Sequence, residues 1–308
     1  MRKVVIIGYG SAWKRHDKIL IKFFKTLKIF IFTKQKIKNF KTIDKLDDIK
    51  KIDPYYIIIA SETIKHLNQL KFLEKNFKNK KILIEKPLFH KFYNFTNKRN
   101  NIYINYNLRF HPYIEKLQKI IKLKKVYDLK LITNSFLPDW RKNNSFKKNY
   151  AVSKSKGGGV ILDLSHELDL INNFFNKIKL SFVEYGKKSN LTIDTEDYLK
   201  LSAKVKNVSV SLDLNYYSKN ELRLLLVDGD GFSLSIDLKK NIFIYNNNNK
   251  ILKLNENYSQ DYTFLKTHLA IIYGQKKKQL CKFKDALDVL RIIKKIKSTK
   301  KNWQKIKN

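Results

Sequence analysis

The sequence predicts an α/β protein with two halves, on three observations. Short β-branched runs alternate with amphipathic stretches over the first hundred residues; a glycine-rich turn follows the first apolar run; and alternating strands crowd residues 179–253. The first half reads as a parallel sheet with crossover helices, and the second as an α+β domain with a large, mostly antiparallel, open-faced sheet. The expected division is 1–108 and 109–308.

Strands are expected at 4–7, 29–32, 56–60, 82–84 and 102–105, because each is a short run dominated by β-branched and aromatic residues. Between them, 12–27, 63–77 and 89–98 carry apolar residues three and four apart, the spacing of one helix face. A helix over 112–123 then leads into a long strand at 126–136. The irregular polar segment 138–156 precedes a glycine triplet, Gly157 to Gly159, which opens a helix reaching about residue 175. Strands at 198–205, 209–216, 222–227 and 232–236 follow, the last two joined by an Asp-Gly-Asp-Gly turn at 228–231, since Gly and Asp tolerate positive φ. Helices at 258–274 and 284–297 complete the chain, and residues 246–249 form a short polar turn.

Composition narrows the class further. The 308 residues are 43% hydrophobic with only four prolines and nine glycines, a globular balance. The one cysteine, Cys281, closes no internal disulfide and belongs to no paired metal-ligand motif, which suits a reducing compartment. The first apolar run spans four residues, too few for a secretory signal core, and no run approaches the ~18 residues of a membrane span. The expected location is the cytoplasm. The formal charge of +38 suggests nucleic acid, yet of 65 basic residues seven are arginine and the rest lysine, spread over every segment. Abundant Lys, Asn, Ile, Phe and Tyr together reflect AT-rich codons, so neither nucleic acid nor a membrane is expected as partner. The six histidines show no paired ligand spacing, and no metal is expected.

Strand, Gly8-Tyr9-Gly10-Ser11-Ala12-Trp13, then helix approaches the dinucleotide fingerprint of a Rossmann domain. The first glycine allows the tight turn, and the second lets backbone near a pyrophosphate; Ser11 and Ala12 open the helix beneath it. Trp13 replaces the third glycine. The alternative is a plain βα turn. After the second strand, Thr33 and Lys34 stand where an acidic residue would select NAD, and Lys34 suits a 2′-phosphate, a lean toward NADP; lysine is also common everywhere in this chain.

Two further motifs, Ile-Leu-Ile-Glu-Lys-Pro-Leu at 82–88 and Gly-Gly-Gly-x3-Asp-x2-His at 157–166, complete a pattern with the segments 61–66, 105–112, 137–141 and 227–237. Over nearly its whole length the chain resembles the Gfo/Idh/MocA oxidoreductases, which include glucose-fructose oxidoreductase and inositol dehydrogenases. The resemblance implies hydride transfer between NAD or NADP and a sugar or sugar derivative, including a nucleotide sugar or sialic-acid-like sugar. It implies Lys86 and His166 as the catalytic pair, with Asp163 beside them and Asp169 continuing that helix face. The family more often spaces this Asp and His by four. Cofactor contacts are expected from Gly8, Gly10, Ser11, Ala12, Thr33, Lys34, Ala60, Ser61, His66, Glu85 and Lys86. Substrate contacts are expected from Lys86, Arg109, Trp140, Arg141, Asp163 and His166; for Arg109, Tyr106 and His111 interdomain packing is the alternative. A homodimer or homotetramer joined through the open sheet is implied, and a non-catalytic cofactor-binding regulator of the same fold is the competing reading.

Overall fold

Val4 to Ile7 and Tyr56 to Ile59 are wholly apolar and wholly buried, as strands covered on both faces must be. They lie at the centre of the first sheet of the computed structural model, which describes residues 1–35, 37, 40–140, 146, 150–248 and 250–299. The chain divides into two compact units, Met1–Lys119 with Asn257–Leu287 and Ile120–Glu256 with Asp288–Asn308. Relative to a break at 108/109, the first unit takes in further chain at both points. Side-chain chemistry accounts for the second: Phe264 and His268 pack against His16, and Cys281 pairs with Ile104 at the sheet edge.

The first unit runs β1 (Arg2–Ile7), α1 (Ser11–Phe23), β2 (Leu27–Phe32), β3 (Lys41–Ile43), α2 (Asp48–Ile52), β4 (Tyr56–Ile59), α3 (His66–Asn76), β5 (Lys81–Ile84), β6 (Asn101–Ile104) and α4 (Pro112–Leu123). Strand order is β3-β2-β1-β4-β5-β6, parallel throughout, and an antiparallel Cys281–Lys282 strand closes the β6 edge. The order reverses between β1 and β4, which makes their carboxyl ends the switch-point crevice of a doubly wound sheet.

The helix expected over 89–98 is absent; that stretch is a loop. Its aromatic spacing serves a cluster instead, with Phe89 edge-on to Tyr93, Phe95 and Phe283 at 5.7, 6.3 and 6.4 Å between ring centres. The amides of Lys98 and Arg99 donate to the Glu74 carboxylate at 2.9 and 3.2 Å, so the loop closes on α3. Asn94, Thr96 and Asn97 favour such turns over helix interiors.

The second unit holds an eight-stranded sheet. Its strands are β7 (Val126–Phe136), β8 (Lys179–Gly186), β9 (Tyr198–Val205), β10 (Val208–Asn215), β11 (Tyr217–Gly229), β12 (Phe232–Asp237), β13 (Ile242–Asn247) and β14 (Lys250–Asn255). They lie in the order β14-β13-β12-β11-β7-β10-β9-β8, every neighbouring pair antiparallel except β7 with β10. Alternation along β7 and β10 buries Leu129, Leu131, Val210, Leu212 and Leu214 on one face, against short α5 (Val160–Asp163) and α6 (His166–Phe175). The opposite face leaves Ile132, Leu224 and Leu226 half-exposed among Ser, Lys and Asp. Helices α7 (Gln260–Tyr273) and α8 (Phe283–Ser298) follow.

Candidate functional site

The crevice of the first unit is built by two turns. Gly8 has φ of 111°, and a Cβ there would stand 2.7 Å from the carbonyl oxygen of Ala60 and the amide of Ser61, so only glycine lets the β1 and β4 ends meet. Around Gly10 a Cβ would meet nothing within 4 Å, and no side chain caps α1. That leaves open space before the amides of Ser11 and Ala12, the arrangement that accommodates a phosphate.

Trp13 does not project into this space. Its indole is buried, 4.3 Å centre to centre from Tyr9 and 5.5 Å from Phe40, and joins the core with Val4 and Ile6. Thr33 and Lys34 follow β2; the Thr33 hydroxyl accepts from the amide of Gln35, and Lys34 is exposed.

His66 is fully buried, with Nε2 3.1 Å from the Ser61 carbonyl and Nδ1 3.1 and 3.2 Å from those of Leu88 and Pro87. Burial pushes its pKa below the ordinary histidine value. It therefore ties the β4 turn to the segment after β5, and Ser61 is fixed further by donating to Gln69 at 2.7 Å.

Lys86 stands half-buried just beyond β5, at the carboxyl edge. The neighbouring Glu85 turns its carboxylate inward, accepting from His16 at 2.7 Å, from Asn105 at 2.6 Å and from the Lys86 amide at 3.3 Å. Burial would raise its pKa, yet the hydrogen bond and electrostatic attraction of His16, the hydrogen bond from Asn105 and the charge of Lys86 outweigh it, and the group lies below the ordinary glutamate value.

Arg109 is buried in the first unit and pairs with Asp285 at 3.2 Å. His111 accepts the Tyr113 amide at 3.2 Å at the start of α4 and packs on Tyr258, and Tyr106 is also buried.

In the second unit the glycine triplet shapes the approach to α5. A Cβ on Gly158 would collide with the backbone carbonyls of Tyr150 and Ala151. The helix expected to run unbroken to residue 175 is interrupted at Leu164 and Ser165, so Asp163 ends one short helix and His166 begins the next. The expected shared face of Asp163 and His166 is thus corrected: a continuous helix is what gives i and i+3 a common face. His166 and Asp169 do lie on one helix.

Asp163 accepts from the Tyr216 hydroxyl at 2.5 Å, and burial with that carboxylate raises the Tyr216 pKa well above the ordinary tyrosine value, keeping it a donor. Trp140 sets its ring edge-on to Tyr216 at 5.3 Å and donates to Ser135 at 3.2 Å. Tyr216 thus joins two of the expected substrate residues; a tyrosine ending an apolar strand carries no signal that would single it out. Buried Glu167 accepts from Thr133 at 2.8 Å and pairs with Arg223 at 2.9 Å, which fixes α6 beside His166. Arg141 lies outside the described residues. Among those described, no cluster of metal ligands occurs and no helix is long and apolar enough to cross a membrane.

No family model and no curated protein matches the sequence. Solved structures do match the fold, and most of these neighbours are dehydrogenases of the Gfo/Idh/MocA type. The two-sheet architecture, one sheet mostly parallel and one mostly antiparallel, is the fold that the sequence resemblance implied. One neighbour is levoglucosan dehydrogenase in complex with NADH and L-sorbose, with a TM-score of 0.80, 13% identity and 96% of each chain covered. Another is WlbA dehydrogenase from Bordetella pertussis, in complex with NADH and UDP-GlcNAcA, at 0.75, 11% and coverage of 96% of this chain and 95% of that one. A super-repressor mutant of Gal80p from Saccharomyces cerevisiae matches at 0.75 and 14%, with the same coverages.

Proposed function

We propose that the chain is an NAD(P)-dependent oxidoreductase that moves a hydride between a nicotinamide cofactor and a CH–OH group of a sugar or nucleotide sugar. The observation that carries this reading is the crevice at the reversal between β1 and β4. Gly8 lets the two turns close, and Gly10 leaves the uncapped start of α1 open. The residues fit a dinucleotide: the Gly10, Ser11 and Ala12 backbone would hold its pyrophosphate, and Thr33 and Lys34 would lie by the adenosine ribose. A dinucleotide held there would supply the nicotinamide ring as hydride acceptor or donor.

Removing a hydride from a carbinol carbon leaves an oxygen whose proton needs an acceptor. His166 accepts that proton in this reading, and the Lys86 ammonium stabilises the charge developing on oxygen. Asp163, held by Tyr216, orients the substrate hydroxyls, with Trp140 bounding the sugar. Arg109 contributes from its ion pair with Asp285 rather than as a free anchor. The fold shared with WlbA and levoglucosan dehydrogenase supports a sugar substrate. The absence of a carboxylate after β2, with Lys34 exposed there, favours NADP, whereas both those neighbours are in complex with NADH. The reading includes a homodimer or homotetramer, assembled through the half-exposed sheet face, acting in the cytoplasm.

The Gal80p likeness favours one second reading, a cofactor-sensing regulator without turnover. Titration of the full chain with NADH and NADPH should quench its fluorescence with at least one, NADPH binding more tightly. Lys86→Ala and His166→Ala should each lower turnover on a panel of sugars and nucleotide sugars by about two to four orders of magnitude, with cofactor affinity nearly intact. Binding of neither cofactor defeats the crevice assignment, and full activity in both variants defeats the catalytic pair. Cofactor binding without turnover by the wild type would favour the regulator.

A further inference from the structure

Four buried titratable groups in the first unit form one line. Glu85 meets His16 Nε2 at 2.7 Å, His16 Nδ1 meets His268 Nε2 at 3.0 Å, and His268 Nδ1 meets the Tyr56 hydroxyl at 3.1 Å. His16, His268 and Tyr56 have no exposed surface, and the Glu85 side chain is 12% exposed. They come from α1, α7, β4 and the end of β5, distant parts of the sequence. Glu85 is also bonded to the amide of Lys86, so the line ends at the point where that lysine leaves the sheet.

We propose that Tyr56, His268 and His16 form a one-directional hydrogen-bond relay that holds Glu85 as an oriented carboxylate at the base of Lys86, and that all three are positioning residues. The proposal deepens the dehydrogenase reading and rests on it for its effect on turnover.

The direction follows from counting donors. An ionised carboxylate only accepts, so His16 Nε2 carries a proton toward Glu85. His16 Nδ1 then either accepts from His268 or donates to it. If it donates, His268 must donate from Nδ1 to the Tyr56 oxygen, whose own proton then has no acceptor. The Tyr56 hydroxyl has no other hydrogen-bond partner among the described residues. A hydroxyl proton stranded in a fully buried site is costly, about 1–3 kcal/mol. In the other order every group is satisfied: Tyr56 donates to His268 Nδ1, His268 Nε2–H donates to His16 Nδ1, and His16 Nε2–H donates to Glu85. Burial acts the same way, holding His268 neutral and Tyr56 protonated. Asn105 supplies the second donor to the same Glu85 oxygen, which fixes the carboxylate plane.

Nitrogen-15 spectra of the full chain labelled at histidine read the proton order directly, without turnover. The relay requires both His16 and His268 to be neutral Nε2–H tautomers at pH 7.5; a doubly protonated His16, or Nδ1–H at either ring, overturns it. In turnover, His16→Leu should lower kcat/KM about a hundredfold, with cofactor affinity within about threefold of wild type. His16→Gln, which restores an N–H donor toward Glu85, should recover to within about tenfold of wild type. A folded His16→Leu of wild-type activity, or a His16→Gln no better than it, also overturns the positioning role. If the wild type turns over no sugar, the dehydrogenase reading fails, and the tautomers alone decide the relay.

Discussion

Charge placement at single residues carries a consequence at Asp17, next to His16 on α1. Its carboxyl is buried and one of its oxygens has no hydrogen-bond partner among the described residues. Burial pushes its pKa up from 3.8 to about 6. Because the folded protein binds this proton more tightly than the unfolded chain, the cost is absent below about pH 4, grows as pH rises toward 6 and is complete above. A shift of this size corresponds to roughly 3 kcal/mol at most. Asp17→Asn should therefore raise the urea midpoint at pH 7.5 by an amount equivalent to about 1–3 kcal/mol and leave it unchanged at pH 4. An equal shift at both values would show that titration is not the cause. Lys86 and Glu85 show the complementary case, in which a buried carboxylate with three donors settles below its ordinary value.

Among the elements, the segment from the glycine triplet through α6 concentrates the candidate chemistry of the second unit. Gly158 has no room for a side chain, because the Tyr150 and Ala151 carbonyls stand where its Cβ would be. Gly158→Ala should cost about 1–3 kcal/mol, as overpacking against backbone does, measured by urea unfolding followed by circular dichroism. A variant as stable as wild type would mean that the turn before α5 yields easily. The interruption at Leu164 and Ser165 gives Asp163 to Tyr216 and leaves His166 at the start of a helix. The triplet and the Asp-x2-His spacing were legible in the sequence, whereas the break was not. Apolar residues three and four apart fit one helix or two short ones equally well. The 89–98 loop is the same ambiguity resolved the other way, since its aromatic rings satisfied helical spacing while packing on Phe283, nearly two hundred residues distant.

For the whole molecule, the second sheet presents one face with Ile132, Leu224 and Leu226 half-exposed among polar neighbours. The proposed pairing through this face predicts, by size-exclusion chromatography with light scattering, a mass two or four times 36.7 kDa at micromolar concentration. A monomer would defeat it. The net charge of +38 opposes close approach of like surfaces, so the association should strengthen with added salt.

Periodicity and turn chemistry are local and survive in one chain, so the parallel sheet, the antiparallel sheet and the glycine turn were legible there, while Lys86 and His166 were singled out through the motifs that carry the family resemblance. Long-range packing settled that 257–287 belongs with the first unit, that Trp13 turns into the core beside Tyr9 and Phe40, and that Tyr56, His268 and His16 converge on Glu85. Those outcomes depend on contacts between residues up to 252 positions apart, which no local pattern encodes. Burial then fixes which of the brought-together groups keep their protons.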